Sequence, residues 1–454
     1  MGDAMRVVDR EKISALTQRE EVRYVADRPK SRALFERARK SLFRGVPMGW
    51  MTEWPGSFPI FVTEANNARL KDADGHTYVD LALGDSGSLT GHSPLPTAEA
   101  ICRQVYKGMT TMLPSEDAVW VGEELTRRFG LPYWQIYTTA TDADRFAIRF
   151  ARMATGRDPA LVFDGCYHGS VDEALVSVKH GSRMAQHRPV IGALPNPASR
   201  VIQFNDMDAL EEALAPGDVA CVLAEPAMTN AGIIWPEPGY HEALRAITRK
   251  HGTLLILDET HTICAGAGGC TREWALEPDF FTIGKSIAGG LPAAAMGLTQ
   301  EVAEILTAAP RGIPGKHFGI GVAGTVAGTM LQTAAIRATL ADVLTEVAFE
   351  RMIAVATGLA DGVAECIDAY ELPWHVNRLG CRAEYRFVKD PPRNGAEADE
   401  AFDDELDTLV HVYMANRGIL LTPFHTMVLI SPQTTCEDVE LHNAVFEELV
   451  RELV

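Results

Sequence analysis

The sequence lacks long hydrophobic runs, paired cysteine motifs and any excess of positive charge, and each absence excludes a class of protein. No apolar stretch approaches the roughly 20 residues that cross a bilayer, and residues 1–20 lack the apolar core of a secretory signal. The net charge of −19 argues against a nucleic-acid-binding surface. We therefore expect a soluble, cytoplasmic protein that has neither nucleic acid nor membrane among its partners.

The eight cysteines are scattered, and none of them forms a Cys-x-x-Cys pair. Cys264 and Cys270 are close in sequence, but no cluster of histidine and cysteine completes a zinc site, so plain packing is favoured over metal binding. A chain of 454 residues buries enough core to fold without disulfides. We predict no metal site.

The pattern of apolar and polar residues changes after residue 80 and again after residue 339, which predicts three regions. Residues 1–80 suggest helices divided at Pro29, followed by a hairpin that turns at Asp74 and Gly75. Residues 81–339 alternate short apolar runs with helical stretches, which is typical of an α/β domain with a mostly parallel sheet. Residues 340–454 predict a smaller α+β domain. We expect residues 1–80 to pack with this domain, because neither piece alone has much core.

Charged residues follow three successive predicted strands of the large domain, namely Glu225, Asp258 and Lys285. Ligands of open α/β sheets bind at the carboxyl ends of strands. A lysine amine condenses with an aldehyde, and a carboxylate pairs with a pyridinium nitrogen. The set therefore predicts a pyridoxal phosphate site in which Lys285 carries the cofactor as a Schiff base and Asp258 holds its ring nitrogen.

Two different interpretations of Lys285 compete with this one. Gly284-Lys285-Ser286 resembles the end of a phosphate-binding P-loop, but that motif needs a glycine five positions before its Gly-Lys pair, where this chain has Asp279. A solvated lysine after a strand is the simpler interpretation. The small and apolar residues around Lys285 favour a desolvated amine instead.

The cofactor phosphate needs a cradle, and residues 139–141 offer one where a strand passes into a helix. Backbone N–H groups at the helix start and the hydroxyls of Thr139 and Thr141 suit an anion. An ordinary N-cap formed by Thr141 or Asp142 fits the sequence equally well. Asp144 would repel a phosphate, so we expect it to face away and to serve only the helix dipole.

A further strand end carries Tyr167 and His168. Tyr167 offers a flat face on which an aromatic cofactor can stack. A lone Tyr-His pair belongs more often to a core or a turn than to a site, and only its position on the strand end favours a functional role here.

With these residues in place, the chain resembles class III pyridoxal-phosphate-dependent aminotransferases, in particular the glutamate-1-semialdehyde aminomutase-like branch. The specific stretches are LILDETH at 255–261 and LEPDFFTIGKSIAGGLP at 276–292. The resemblance implies the pyridoxal phosphate fold type I, with a large mostly parallel domain and a smaller α+β domain. It also assigns cofactor-binding positions: Thr139, Ala140, Thr141, Tyr167, Glu225, Asp258, Thr260, Lys285 and Thr325.

In this family, the segment that corresponds to Gly324–Gly328 sends its threonine to the phosphate of the neighbouring subunit. The resemblance therefore implies a homodimer with shared active sites, although small residues in such a segment also suit close helix packing. Two positions depart from the family pattern, because Thr260 replaces a valine and Ala140 replaces a glycine. The loop that follows Asp258 also differs from that of aminomutases.

The substrate pocket is the least specified part of the sequence. Trp50 and Met51 are candidates to line it, and Arg382 is the candidate partner of a substrate carboxylate. Arg386 shares the face of Arg382 by strand alternation. Surface arginines on a sheet explain the pair equally well.

We expect a transaminase that moves an amino group between an amine or amino acid and a keto acid or aldehyde, with both substrates small molecules. An intramolecular aminomutase, which is an isomerase, would use the same residues. A decarboxylase or racemase on the same fold, and a degenerate, non-enzymatic ligand-binding protein, are also compatible with the sequence.

Overall fold

The computed structural model describes residues 8–178, 185–187, 198–308 and 323–454 of the chain. Two compact units divide it. The first comprises Met1–Pro94, Val347–Pro391 and Ala401–Val454, and the second comprises Leu95–Glu346 and Pro392–Glu400. The division predicted at residues 80 and 339 stays a prediction. Among the described residues, no helix combines the length and apolar character that a membrane crossing requires.

The helices lie between strands for most of the chain. In chain order they are Arg10–Asp27 (α1), Pro29–Ala38 (α2), Leu95–Val105 (α3), Glu116–Phe129 (α4), Ala140–Thr155 (α5), Met207–Leu214 (α6), Tyr240–Lys250 (α7), Gly269–Glu273 (α8), Gln300–Ala308 (α9), Met330–Asp342 (α10), Glu346–Ala369 (α11), Gly395–Glu400 (α12), Asp404–Ala415 (α13) and Cys436–Leu453 (α14).

The strands are short. In chain order they are Val62–Asn66 (β1), Arg69–Asp72 (β2), Thr77–Asp80 (β3), Tyr133–Tyr137 (β4), Ala160–Phe163 (β5), Val176–Val178 (β6), Ala185–His187 (β7), Ser199–Ile202 (β8), Cys221–Ala224 (β9), Leu254–Asp258 (β10), Phe280–Ile283 (β11), Ala294–Leu298 (β12), His375–Leu379 (β13), Arg382–Arg386 (β14), Ile419–Leu420 (β15) and Met427–Leu429 (β16).

The second unit is built on a sheet with the strand order β4-β12-β11-β10-β9-β5-β8. Strands β11, β10, β9, β5 and β8 pair in parallel, whereas β12 pairs antiparallel with both β11 and β4. The short connection from β11 accounts for this reversal, since it leaves no room for a helical crossover. The sheet has the mostly parallel α/β architecture that the sequence predicts, and its parallel strands end at one common edge.

Helix α5 packs on this sheet through small side chains. Ala143, Ala147 and Ala151 are buried in one core cluster with residues of β5, β9 and β12. The helix starts after Thr139, whose side chain accepts a hydrogen bond from the Asp142 N–H, and it ends at the left-handed Gly156. The N-cap is therefore Thr139, and not Thr141 or Asp142, the two residues that the alternative interpretation offered as caps. Because α5 begins at the end of β4, its N-terminus lies at the edge of the sheet.

The first unit contains two smaller sheets. One has the order β1-β2-β3-β15, in which β15 pairs in parallel with β3, and the other has the order β13-β14-β16. The β2–β3 hairpin turns at Asp74 and Gly75, where the Asp72 carboxylate accepts the N–H groups of Asp74, Gly75 and His76. Pro29 opens α2, as its missing N–H favours.

Candidate active site

The predicted acid and amine lie on neighbouring parallel strands at the same edge of the sheet. Asp258 is the last residue of β10, and its backbone pairs opposite Thr282 of β11. Lys285 lies three residues after Thr282 and is the first residue of a short 3₁₀ helix. Asp258 is buried and Lys285 is partly exposed. The fold therefore brings together the two groups on which the predicted cofactor site depends.

Asp258 is held as a carboxylate by hydrogen bonds. Its Oδ2 lies 2.8 Å from His168 Nδ1, and its Oδ1 accepts the Thr260 N–H at 3.0 Å. Burial alone would raise the pKa of Asp258, but the hydrogen bonds from His168 and Thr260 and the charge of His168 lower it. A buried, ionised carboxylate at this place suits a protonated ring nitrogen.

His168 is part of this network, although the sequence favoured a core or turn position for it. Burial alone would lower the pKa of His168, but Cys166 and Asp258 raise it well above its ordinary value. The His168 imidazolium therefore stabilises the Asp258 carboxylate through the hydrogen bond to its Oδ2. The position after β5 was the signal in the sequence that pointed to this role.

Lys285 has an imidazole beside its amine, a neighbour that the sequence reasoning did not predict. Lys285 Nζ lies 2.7 Å from His261 Nε2. His261 stands three residues after Asp258, in the loop that departs from the family pattern, so the strand-end position was a usable signal. The backbone of Lys285 has a φ of 51°, which is rare for a residue with a side chain and is typical of functional positions.

The predicted phosphate cradle is the N-terminus of α5. The hydroxyl of Thr139 accepts from Asp142 N–H at 3.2 Å and donates to its carboxylate at 3.1 Å. The hydroxyl of Thr141 accepts the Ser170 N–H at 3.2 Å, and a hydroxyl that accepts one N–H still has a proton to donate. Helix geometry leaves the first backbone N–H groups without intrahelical acceptors, which suits an anion.

Two glycines let three segments of the site approach one another. A Cβ on Gly284 would lie 2.9 Å from Ala140 Cβ, and a Cβ on Gly169 would overlap Thr141 Oγ1. Both contacts are closer than side chains tolerate. The segments that carry Lys285 and His168 are therefore packed directly against the start of α5, which gathers the predicted ring, amine and phosphate positions at one edge.

The remaining predicted cofactor residues occupy varied positions in the same unit. Tyr167 is half-buried after β5, and Thr260 is buried after β10. The Glu225 carboxylate accepts hydrogen bonds from the backbone and hydroxyl of Thr229, and burial raises its pKa. Thr325 is exposed, next to a turn in which Ala327 N–H donates to Gly324 C=O at 3.1 Å.

The candidate substrate residues belong to the first unit. Trp50 and Met51 lie in a 3₁₀ helix, and the Trp50 ring packs on Phe424 with centroids 5.2 Å apart. Arg382 is buried on β14, with Nη2 3.5 Å from a Glu384 oxygen. It is therefore not a surface arginine, and neither is Arg386, whose Nη1 is 3.6 Å from Glu384. Their roles toward a substrate stay predictions.

The side chains at the edge of the large sheet fit pyridoxal phosphate. They provide an amine, an ionised carboxylate on the neighbouring strand, and a helix N-terminus packed against the segments that carry Lys285 and His168. Comparison with known proteins agrees, because the family model described as "Aminotransferase class-III" matches residues 51–452. The chain belongs to the class-III aminotransferase family. Pyridoxal phosphate is its cofactor, as predicted, and its fold is the pyridoxal phosphate fold type I.

Relatives narrow the comparison to one branch of this family. A glutamate-1-semialdehyde 2,1-aminomutase of Sorangium cellulosum (strain So ce56) is 34% identical over 427 residues, which cover 91% of this chain and 95% of the relative. One similar crystal structure is that of a glutamate-1-semialdehyde aminomutase from Pseudomonas aeruginosa PAO1, a lysine-to-alanine variant in complex with PMP. Its sequence is 47% identical and its TM-score is 0.95, and the match covers 98% of this chain and all of that one. A second structure of an aminomutase from that organism is 46% identical, with a TM-score of 0.94 and the same coverage.

These relatives contradict the expectation of transamination between two substrates. They match nearly the whole chain, and they are aminomutases and not intermolecular transaminases. The expectation was wrong because a transaminase and an aminomutase need the same lysine and carboxylate. The family and the cofactor were predicted correctly, and so was the expectation of an enzyme.

Proposed function

We propose that the chain is an isomerase that converts glutamate-1-semialdehyde by moving its amino group from C2 to C1 within one molecule. The observation that carries this proposal is the 47% identity and TM-score of 0.95 to an aminomutase over 98% of the chain. The edge of the large sheet supports it, since Asp258 and Lys285 are in the arrangement that amino-group chemistry needs. A single small molecule is then the substrate.

Each residue of the site has a defined task in this proposal. When bound, pyridoxal phosphate supplies an aldehyde that condenses with amines and a ring that accepts electron density from an adjacent carbon. Lys285 holds the cofactor covalently and moves protons to and from the substrate carbons as general base and acid. Asp258 keeps the ring nitrogen protonated, and His168 keeps Asp258 ionised. Tyr167 stacks on the ring.

The phosphate is bound by the start of α5, namely Thr139, Ala140 and Thr141. Ala140 has no side-chain donor, so its contribution is the backbone N–H. Glu225 and Thr260 line the cofactor from the ends of β9 and β10. Thr325 is exposed in a single chain, which supports its assignment to the phosphate of a second copy and hence a homodimer with shared sites.

A substrate with a carboxylate needs a cation in its pocket, and Arg382 remains our candidate. Its guanidinium is buried, and a desolvated arginine binds a carboxylate through two parallel hydrogen bonds more strongly than a surface cation does. Trp50 and Met51 are proposed to line the same pocket. Substitution of Arg382 by lysine keeps the charge but loses this paired geometry, so it should raise KM more than it lowers kcat.

The proposal is tested by giving the purified holoenzyme glutamate-1-semialdehyde alone. We expect sustained formation of 5-amino-4-oxopentanoate over many turnovers, with no amino donor and no keto acid in the mixture. The measurement is product formation by liquid chromatography, since product and substrate are isomers of equal mass. A Lys285→Ala variant should lose activity by about a thousandfold, the scale of lost general acid–base catalysis.

A matched control is Lys250→Ala, which removes an exposed helix lysine that pairs with Glu211 and should leave the rate unchanged. Turnover that stops after about one equivalent per site, and resumes only when a keto acid or amino donor is added, would contradict the mutase proposal. Added pyruvate should not accelerate the reaction of a mutase.

A further inference from the structure

Asp144 is a buried carboxylate that the proposed mechanism leaves without a task. It lies in the second turn of α5, fully buried, and its Oδ1 accepts a hydrogen bond from Thr282 Oγ1 at 2.6 Å. The sequence led us to expect that it faces away and serves only the helix dipole. The structure instead places it in a cluster with Asp258 and His168. One side-chain nitrogen or oxygen atom of each of the three residues lies within 4.8 Å of the other two.

Two buried carboxylates at this distance do not both ionise without a compensating cation. Burial raises the pKa of Asp144 well above its ordinary value, and the charge of Asp258 raises it further. Asp258, by contrast, is kept ionised by His168. The cluster is electrically neutral in this state, with a protonated Asp144, an ionised Asp258 and a His168 cation.

The groups that face Asp144 come from several elements. Asp258 ends β10, His168 follows β5, and Thr282 on β11 donates its hydroxyl proton. Strands β9 and β12 contribute Cys221 and aliphatic side chains to the core cluster that α5 also enters. Glu225, after β9, interacts with His168 and Asp258 and has a raised pKa through burial. Among the described residues, the charges that act on Asp144 are those of Asp258 and His168, so we take the cation that balances a second negative charge to come from a ligand.

We propose that Asp144 is a positioning residue that carries a proton until the cofactor binds and then gives this proton to the ring nitrogen that faces Asp258. The O–H bond of Asp144 breaks, and one N–H bond forms on the ring nitrogen, so that no proton is gained or lost overall. Two carboxylates then balance the His168 cation and the pyridinium. The inference rests on the proposed role of Asp258 and not on which reaction the enzyme catalyses.

The first test observes the ring nitrogen directly. Holoenzyme reconstituted with ¹⁵N-ring-labelled pyridoxal phosphate is titrated with base, and the ¹⁵N chemical shift reports the loss of the ring proton. In Asp144→Asn, which keeps the shape and the hydrogen bond from Thr282, the midpoint of this loss should fall by about one pH unit or more, as the removal of a nearby opposite charge predicts. The matched control Asp208→Asn, which removes an exposed carboxylate on α6, should leave the midpoint unchanged.

The second test uses the wild-type chain, so that it stands if the variant does not fold. The infrared difference spectrum between cofactor-loaded and cofactor-free protein should show that a protonated-carboxyl C=O band loses intensity on loading. Equal midpoints in Asp144→Asn and wild type, or a carboxyl band that survives loading, would overturn the proposal. Both readouts are independent of mutase activity, so a failed turnover assay would not change either result.

Discussion

At the scale of single residues, environment decides what a carboxylate does. Asp258 and Glu259 are adjacent in sequence and both are buried. Glu259 is occupied by structural donors, the Thr262 and Thr271 hydroxyls and the Cys270 N–H, and burial raises its pKa. Asp258 points to a histidine and keeps a lowered pKa. Asp258 ends β10 and Glu259 begins the loop after it, so one carboxylate serves the site and the other serves the loop.

Gly169 gives a residue-scale prediction. Substitution by alanine should cost about 1–2 kcal/mol for the left-handed backbone, whose φ is 69°. The new Cβ would also displace the Thr141 hydroxyl, which should weaken binding of pyridoxal phosphate by about tenfold, the weight of one hydrogen bond to a charged group. Cofactor affinity measured by fluorescence titration and thermal unfolding separate the two effects.

The control for this prediction is Gly156→Ala. Gly156 has the same φ of 69°, but a Cβ added there would meet no atom within 4 Å. This variant should therefore lose similar stability and keep its cofactor affinity. If both variants bind the cofactor equally, the contact between Gly169 and Thr141 does not shape the phosphate cradle.

Sequence indicates the position of a residue where a local pattern is enough, and it misses partners that are distant along the chain. The apolar runs before Asp258 and Lys285 predicted that both lie at strand ends, which is where the structure has them. Their roles toward the cofactor stay predictions. The pairing of His168 with Asp258 joins residues 90 positions apart in sequence, and the pairing of Asp144 with Thr282 joins residues 138 apart. Neither pairing leaves a periodic signal in the sequence. The sequence therefore favoured a functional role for His168 only weakly, and the prediction that Asp144 faces away from the site was wrong.

At the scale of elements, β14 concentrates charge inside the first unit. All five residues of this strand are buried, and three of them are charged. Burial alone would raise the pKa of Glu384, but the hydrogen bond from His425 and the charges of His425, Arg386 and Arg382 lower it to about 2. The strand is thus held in place by a carboxylate between cations, and not by apolar contacts alone.

This lowered pKa predicts how stability depends on pH. The unfolded carboxyl titrates near 4.5 and the folded one near 2, so the contribution of Glu384 is complete above pH 4.5 and is lost as the pH falls toward 2. By linkage the contribution is on the order of 3 kcal/mol. Glu384→Gln should therefore destabilise the protein at neutral pH, and its difference from wild type should shrink in acid.

Chemical denaturation of both proteins between pH 3 and pH 7 measures that difference. Glu365→Gln on α11, where the side chain is exposed, is the matched control and should show no such trend. A destabilisation by Glu384→Gln that stays constant over this range would mean that the carboxylate acts through its shape and not through its charge.

Elements were predictable to the degree that their signals are local. Continuous apolar runs predicted the parallel strands, and Asp74-Gly75 predicted the hairpin. The alternative interpretation placed the N-cap of α5 at Thr141 or Asp142, two or three residues too late, because Thr139, Thr141 and Asp142 are all good capping residues. The choice of Thr139 follows from where β4 ends, which sequence patterns locate only approximately.

At the scale of the whole molecule, reaction type was beyond the sequence patterns. The amine, the carboxylate and the phosphate cradle serve transaminases and aminomutases alike, since both begin with the same proton transfers. What separates them is whether the substrate leaves before its amino group returns, which depends on the pocket around the substrate. The sequence offers few candidate residues for that pocket. The correction from transaminase to aminomutase came from the overall similarity to aminomutases.

A hybrid-dimer experiment tests the shared active sites that we propose for the assembled enzyme. Lys285→Ala removes the amine, and Thr325→Asp places a carboxylate where we expect the neighbouring subunit's phosphate, so each homodimer should be inactive. If Thr325 serves the other subunit's site, a hybrid carries both changes in one site and none in the other. Random re-association of equal amounts should then restore about a quarter of wild-type activity, because half of the dimers are hybrids and each has one intact site.

Thr325→Ser, which keeps the hydroxyl, is the control and should be active without mixing. Failure of the mixture to regain activity, with hybrid formation verified by native mass spectrometry, would place Thr325 in its own subunit's site. Activity of the Thr325→Asp homodimer without mixing would place Thr325 outside any site.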